Sequence, residues 1–393
     1  MYLGGVGPMA GAVMRRSLLF VAGAAMAGAL AAGEATEAPP QHGEDSHRVV
    51  EAIVRLKLPD RRDRLQALET IKRFPDKAIP YLIRAARTDD SVFRARVANA
   101  LGLVGKGDRD AAWALTVLLR DPDTFVRREA VAALIKVGDA ALVPQLEPLL
   151  EDRSEAVRAD AALAIAELQP EKAGERLRAW LGHPDARVRR VALGELLRRK
   201  EATLAAALPA LVKDKDPGVR GDAAAALAQV GGKEAVPTLV EMLGDPEPYV
   251  RATAIVGLKG LRAGTAIPRL MDLVTDQSEE VQAEAVSALG ALQARNAIPT
   301  LTGLLAAPSR PLRGRAAVAL GLFRDRARPA VPNLILLLAD ADEGVRQKAD
   351  LALRLILRAN VGFQAGGSVE HREQAIAKWH DVWRKAQAAP QGK

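Results

Sequence analysis

The strongest constraint on this chain is a period. Val126, Val157, Val188, Val219, Val250, Val281 and Leu312 follow one another at a spacing of 31 residues. Phe93 and Val345 extend the series at spacings of 33, and Asp63 fits as a degenerate first anchor. Ten units therefore lie between about residues 48 and 358. Self-similarity at this period means a supersecondary unit that cannot bury its apolar face alone and stacks on its neighbours.

Each unit has the same internal pattern. Four residues after the anchor comes alanine (Ala130, Ala161, Ala192, Ala223, Ala254, Ala285), and eight after it comes Leu or Ile (Leu134, Ile165, Leu196, Leu227, Leu258, Leu289). Eleven after it the residue is often apolar, as at Val137, Leu168, Val230 and Phe323. Offsets 0, 4, 8 and 11 make one stripe of an α-helix. Three residues before the anchor stands a capping type: Asp90, Asp123, Ser154, Asp185, Asp216, Ser278, Ser309 or Asp342. Upstream, Pro-x-Leu recurs at Pro80, Pro144, Pro237, Pro268, Pro299 and Pro332, with Pro placed for a first helical turn. Gly138, Gly231, Gly264 and Gly290 fall at or near helix ends. The unit is thus two helices of about 10–14 residues joined by short turns. The fold class expected is an all-α solenoid of about ten helix pairs.

Composition agrees with thin layers. Hydrophobic residues make up 49% of the 393, aromatics only 3%, and 76 residues are alanine. The absence of cysteine excludes disulfides, thiolate metal sites, a cysteine nucleophile and a lipidated N-terminal cysteine. Five histidines, His42, His47, His183, His371 and His380, are scattered. The formal charge of +8 is modest and spread along the chain.

The stretch Ala235-Val236-Pro237-Thr238-Leu239 through Leu258, with Asp245-Pro246-Glu247 and Val250-Arg251 inside it, resembles the HEAT-like repeats of phycobilisome lyase (PBS lyase) subunits and many bacterial proteins. The resemblance covers residues 48–358. It implies an armadillo-type, right-handed α-α superhelix, a HEAT-like α-solenoid. It says little about function, because lyases, hydroxylases, repair proteins and scaffolds share this fold.

The residue after the anchor is Arg94, Arg127, Arg158, Arg189, Arg220, Arg251, Arg313 or Arg346, interrupted by Gln282. Five before the anchor stand Asp121, Asp152, Asp214, Asp245, Asp276 and Asp340. A forked guanidinium can serve two acceptors, so these residues are expected to form a ladder between neighbouring units. A row of Arg for phosphates or acidic polymers is the alternative. Two denser basic clusters, around Arg187–Lys200 and Arg310–Arg328, raise the same alternative, against a shortage of aromatics for stacking. Asp121/Asp123, Asp214/Asp216 and Asp340/Asp342 read as helix caps rather than a calcium cage. Trp113 and Trp180 are expected in the core.

No catalytic constellation, metal site or cofactor motif emerges. The iron-binding His-Glu pairs of HEAT-like hydroxylases are missing. The expectation is therefore a non-catalytic scaffold without cofactor. It would bind a protein or peptide along its concave surface as a monomer, with Arg189, Arg190, Trp379 and Trp383 as candidate contacts. A lyase- or oxidoreductase-type accessory enzyme follows only from the resemblance. An anionic polymer, nucleic acid or acidic polysaccharide, is the remaining partner class.

The ends differ from the repeats. Arg15-Arg16 followed by the apolar run Ser17 to Ala32 reads as a signal peptide over residues 1–32, with Met14 as an alternative start. Residues 33–47 read as a flexible linker. Export to the periplasm or exterior is expected, with retention as a membrane anchor through residues 17–32 as the alternative. Residues 359–393 read as a loop, Asn360 to Gly367, then a capping helix carrying Ile376, Trp379 and Trp383.

Overall fold

The computed structural model describes residues 43–388, and the chain divides into two compact units on either side of Leu196 and Leu197. The first unit holds α1 (Glu44–Arg55), α2 (Arg61–Arg73), α3 (Pro75–Ala85), α4 (Ser91–Val104), α5 (Arg109–Leu118), α6 (Thr124–Val137), α7 (Val143–Leu146), α8 (Glu155–Leu168), α9 (Pro170–Trp180) and, up to Leu196, α10 (Ala186–Arg198). The second holds α11 (Leu204–Leu211), α12 (Pro217–Val230), α13 (Val236–Glu241), α14 (Pro248–Gly260), α15 (Ile267–Asp272), α16 (Glu279–Ala291), α17 (Ile298–Gly303), α18 (Arg310–Leu322), α19 (Val331–Leu337), α20 (Glu343–Leu357) and α21 (Val369–Ala388). Odd-numbered helices up to α19 open each pair and even-numbered ones close it. No strand occurs among the described residues. The architecture is an α-solenoid of helix pairs.

Second helices pack in file. In the first unit α4 lies on α6, and α6 on α8; in the second, α12, α14, α16, α18 and α20 follow one another. The anchors are the reason. Phe93, Val126, Val157, Val219, Val250 and Val281 are all fully buried, as are Val97 and the alanines four residues after the other anchors. Close approach also needs residues without bulk. A Cβ added to Gly102 would lie 2.6 Å from the Ala133 Cα, and one on Gly290 2.8 Å from the Ala319 Cα. The position nine after one anchor thus abuts the position seven after the next. Ala228 and Gly257 meet at the same register with the roles reversed.

Most predicted caps form. Asp90, Asp123, Asp185, Asp216, Ser309 and Asp342 accept from backbone N–H groups of the following turn. Each such cap contributes roughly 1 kcal/mol. Ser154 and Ser278 make no side-chain cap. Their own N–H groups are instead taken by Asp152 and Asp276, two residues earlier.

Several expectations shift. The first helices of the second unit are shorter than expected: Val236–Glu241 is flanked by 3-10 turns at Gly232–Ala235 and Met242–Gly244, and α15, α17 and α19 follow the same scheme on their N-terminal side. Proline in the first turn lacks the N–H that would continue an α-helix backwards, so the preceding turn tightens. Pro80 lies inside α3 rather than at its start, because Pro75 already opens that helix. Gly138 does end α6 in the left-handed conformation, but Gly290 serves helix approach. Elsewhere the left-handed position after a second helix is held by Lys200, Arg262, Gln293 and Arg324. Val230 is exposed instead of core. The linker expected over 33–47 gives way at Glu44, where α1 begins and lays Val49, Ala52 and Ile53 into the core. The signal-peptide segment lies outside the described residues. No described helix is long and apolar enough to cross a membrane.

The last helix covers the end of the second unit. α21 packs on α19 and α20 and buries Trp379 and Ala375, with Ile376 half-buried beside them. The preceding loop is also anchored, with Phe363 and Ala365 buried.

Candidate functional site

The Arg–Asp pairs are placed by the second-helix register. Each Arg sits in the first turn and reaches across to the next repeat. Arg94 grips Asp121 through Nε (2.7 Å) and Nη2 (2.8 Å). Arg127–Asp152, Arg220–Asp245, Arg251–Asp276 and Arg313–Asp340 repeat this two-pronged contact at 2.6–3.0 Å. The remaining Nη1 donates to backbone carbonyls five or six residues back, as Arg127 does to Asp121 and Pro122. All three guanidinium nitrogens are thus engaged in holding one repeat's turn against the next. Burial alone would raise the carboxyls of Asp152, Asp245 and Asp340, but the facing guanidinium and the N–H two residues on hold them below the ordinary carboxylate range.

The exceptions are informative. At residue 183 a histidine stands where an Asp is expected. Arg158 therefore reaches Asp185 with one prong (Nη2–Oδ2, 2.6 Å), leaving its buried Nε without a partner. His183 keeps the turn role, accepting from the Asp185 N–H at Nδ1. Gln282 replaces Arg, and the facing position is Ala307, so both partners of that rung are absent together. Gln282 still donates to the Asp276 carbonyl at 2.6 Å, the backbone half of the Arg role. Arg346 has no following repeat and gives Nε and Nη2 to the Ala365 carbonyl, at 2.8 and 2.6 Å. Arg189 binds the His183 and Pro184 carbonyls, and Asp214 accepts from the Asp216 N–H.

The Asp-x-Asp pairs are occupied by N–H groups and guanidinium forks, which leaves no oxygen-rich cage. Among the described residues no group of His, Asp and Glu is arranged to hold a metal. Three arginines of the second basic cluster find acidic partners: Arg310 pairs with Asp342, Arg313 with Asp340 and Arg315 with Glu284.

Two proposed contact residues are corrected by burial. Arg189 is only 4% exposed, because its guanidinium is turned onto the carbonyls of its own turn. Trp379 is 0% exposed, its indole N–H donating to the buried Asp350 carboxylate. Arg190 is half-buried and engaged. Trp383 is half-buried at the edge of α21. Trp113, expected in the core, is 59% exposed on α5; its helix instead buries Ala111, Ala114, Leu115 and Leu118. Trp180 is half-buried against the core.

Sequence periodicity missed the residues that remain open. On the second-helix face of the first unit, Leu65 of α2 and Phe125 of α6 are about half exposed. Phe125 precedes the anchor by one, a position polar or small in most repeats, so a bulky apolar residue there was the available signal. It forms a wall shared by two notches. One, about 240 Å³, runs between α2, α4 and α6 and is lined by Leu65, Leu68, Arg61, Arg64 and Arg96. The other, about 200 Å³, lies between α6 and α8, beside Ile135 and Leu163. A third hollow opens on the first-helix side, where Trp113 and Val117 face Pro144 and Pro148.

The sequence matches the model of HEAT repeats over residues 50–134, 111–197, 174–259 and 236–321, which together span well over half of the chain. The chain belongs to the HEAT repeat family. No curated protein sequence matches it. Among solved structures this HEAT repeat protein is similar in fold to one described for Kap95p binding to RanGDP (13% identity, TM-score 0.57, covering 94% of this chain and 58% of that one). It is also similar to a Kap121p mutant (13% identity, TM-score 0.56, covering 91% and 45%). The chain thus spans about half the length of these two. Human deoxyhypusine hydroxylase aligns at 24% identity over 71% of this chain and 96% of its own, with a TM-score of 0.28. That overlap supports no comparison of sites.

Proposed function

We propose that this HEAT repeat protein is a non-catalytic scaffold that binds a protein or peptide segment on the second-helix face of its first unit. The observation that carries the reading is Phe125, a half-exposed aromatic standing between two apolar notches on successive second helices. Exposed aromatics in concave apolar settings supply much of the binding energy at protein interfaces. The ladder supports the same reading: its charges are consumed in holding repeats together, so this face offers a partner the apolar area around Phe125 and the charged side chains that lie outside the ladder. The structure described for Kap95p binding to RanGDP, similar in fold, is consistent with such use.

We further propose export to the cell envelope, supported by Arg15-Arg16 and the apolar run after it. Capture from envelope extracts by the native protein, compared with Leu65→Ser and Phe125→Ser, tests the role. The partner is expected to saturate the native protein and to bind each variant at least tenfold more weakly. Both side chains are already half in water, so the fold should persist. Finding no saturable partner in any fraction would overturn the reading.

A further inference from the structure

The notch between α2, α4 and α6 holds guanidiniums that form no ion pair among the described residues. Arg64 donates through Nη1 to the carbonyls of Leu58 (2.9 Å) and Pro59 (2.6 Å). Arg96 donates through Nη1 to Leu56 (2.7 Å) and again to Leu58 (3.3 Å). One carbonyl oxygen therefore gathers two guanidiniums. Neither has a carboxylate within ion-pair distance among the described residues, and neither does Arg61 at the rim. Arg94, two residues earlier on the same helix, has Asp121. Burial first, and then the Arg64 charge, press the Arg96 pKa below the usual guanidinium range, while Asp90 acts the other way. Like charges brought together and partly desolvated are costly, and an anion placed between them offsets that cost.

The surroundings say which anion. Leu65, Leu68 and Phe125 form apolar walls, so the ligand has an apolar part next to its charge. At about 240 Å³ the space suits one side chain rather than a cofactor. Glu129, which accepts from the Asn99 amide at 3.4 Å, also lines the notch and disfavours more than one acid there. We propose that this notch receives one Asp or Glu side chain of an extended peptide segment, whose neighbouring apolar side chain lies against Leu65 and Phe125. The inference rests on the peptide-binding role proposed above and specifies its chemistry.

A random dodecapeptide library displayed on phage, with peptide C-termini fused to the coat protein, separates the two claims. Selection on the native protein is expected to enrich Asp or Glu adjacent to Leu, Ile or Phe. Enriched sequences with no acid would overturn this inference and leave the binding role standing. No enrichment of any kind would overturn both. The best sequence, synthesised with an amidated C-terminus and a fluorophore, is then titrated by anisotropy. Replacing its acid by the matching amide should weaken binding about tenfold or more, as expected for loss of a charge-assisted hydrogen bond. Arg64→Gln and Arg96→Gln should abolish most of that difference, because the acid then has nothing to meet. If Arg96→Gln unfolds α4, the acid-to-amide comparison on the native protein still decides. A peptide that tolerates the amide, or gains only from a free C-terminus, would overturn the assignment.

Discussion

The indole Nε1 of Trp379 donates to Asp350 Oδ1 at 3.0 Å, tying the terminal helix α21 to the last repeat's α20. Burial raises the Asp350 pKa, with Trp379 and Arg354 opposing it. A carboxyl whose folded pKa lies above its unfolded value makes folding less favourable as pH rises. The penalty is absent below about pH 4 and complete above the folded pKa. Asp350→Asn keeps an acceptor for the indole and removes the charge. Its stability relative to the native protein should therefore be highest at pH 7 and fall as the pH approaches 4. Asp350→Leu leaves a buried indole N–H unpaired and should cost about 1–3 kcal/mol at all pH values. Urea unfolding at pH 4, 5.5 and 7 measures both.

The ladder carboxylates have the opposite sign. Asp152, Asp185, Asp245 and Asp340 are held below their ordinary pKa, so their contribution is present above about pH 4 and is lost as pH falls through the folded values. Asp245→Asn should lower stability at pH 7 and flatten the acid limb of the unfolding curve. An unchanged acid limb would show that Arg220–Asp245 contributes nothing through its charge.

The broken rung at Gln282 and Ala307 can be rebuilt. Gln282→Arg alone buries a fork without a carboxylate, and Ala307→Asp alone brings an acid without a fork. Each should be neutral or destabilising. The double substitution should show a favourable coupling of about 1–3 kcal/mol in a double-mutant cycle.

His183→Asp should convert the single-pronged Arg158 contact into the two-pronged form and give the buried Nε an acceptor. The Asp-Pro-Asp sequence so created already occurs at Asp121-Pro122-Asp123, where it accepts Arg94 with both oxygens. A gain of about 1 kcal/mol in thermal or urea unfolding is expected.

Gly290→Ala tests the helix approach. Its new Cβ would lie 2.8 Å from the Ala319 Cα, which is backbone and cannot swing away. A loss of about 1–3 kcal/mol is expected from overpacking. Gly260→Ala meets nothing within 4 Å and should be neutral or slightly stabilising. Equal effects at the two sites would remove close approach as the reason for Gly290.

The 31-residue period, the buried stripe at offsets 0, 4 and 8, and the reach of Arg to the next repeat's Asp were readable from spacing alone. These depend on helix periodicity and side-chain geometry, which repeat whenever the local pattern repeats. The tertiary structure decided what depends on neighbours. Trp379 looked like a docking residue until α20 placed Asp350 under its indole. Trp113 looked like core until Ala111, Ala114, Leu115 and Leu118 filled the inner face of α5. Arg64 stands where a ladder arginine would, one residue after the degenerate anchor Asp63, but Thr88 replaces the facing Asp; Arg96 lies outside the ladder, so spacing gave no sign of their meeting. Only packing of α2 beside α4 brings both onto the Leu58 carbonyl, and charge density of that kind is a property of three-dimensional contact.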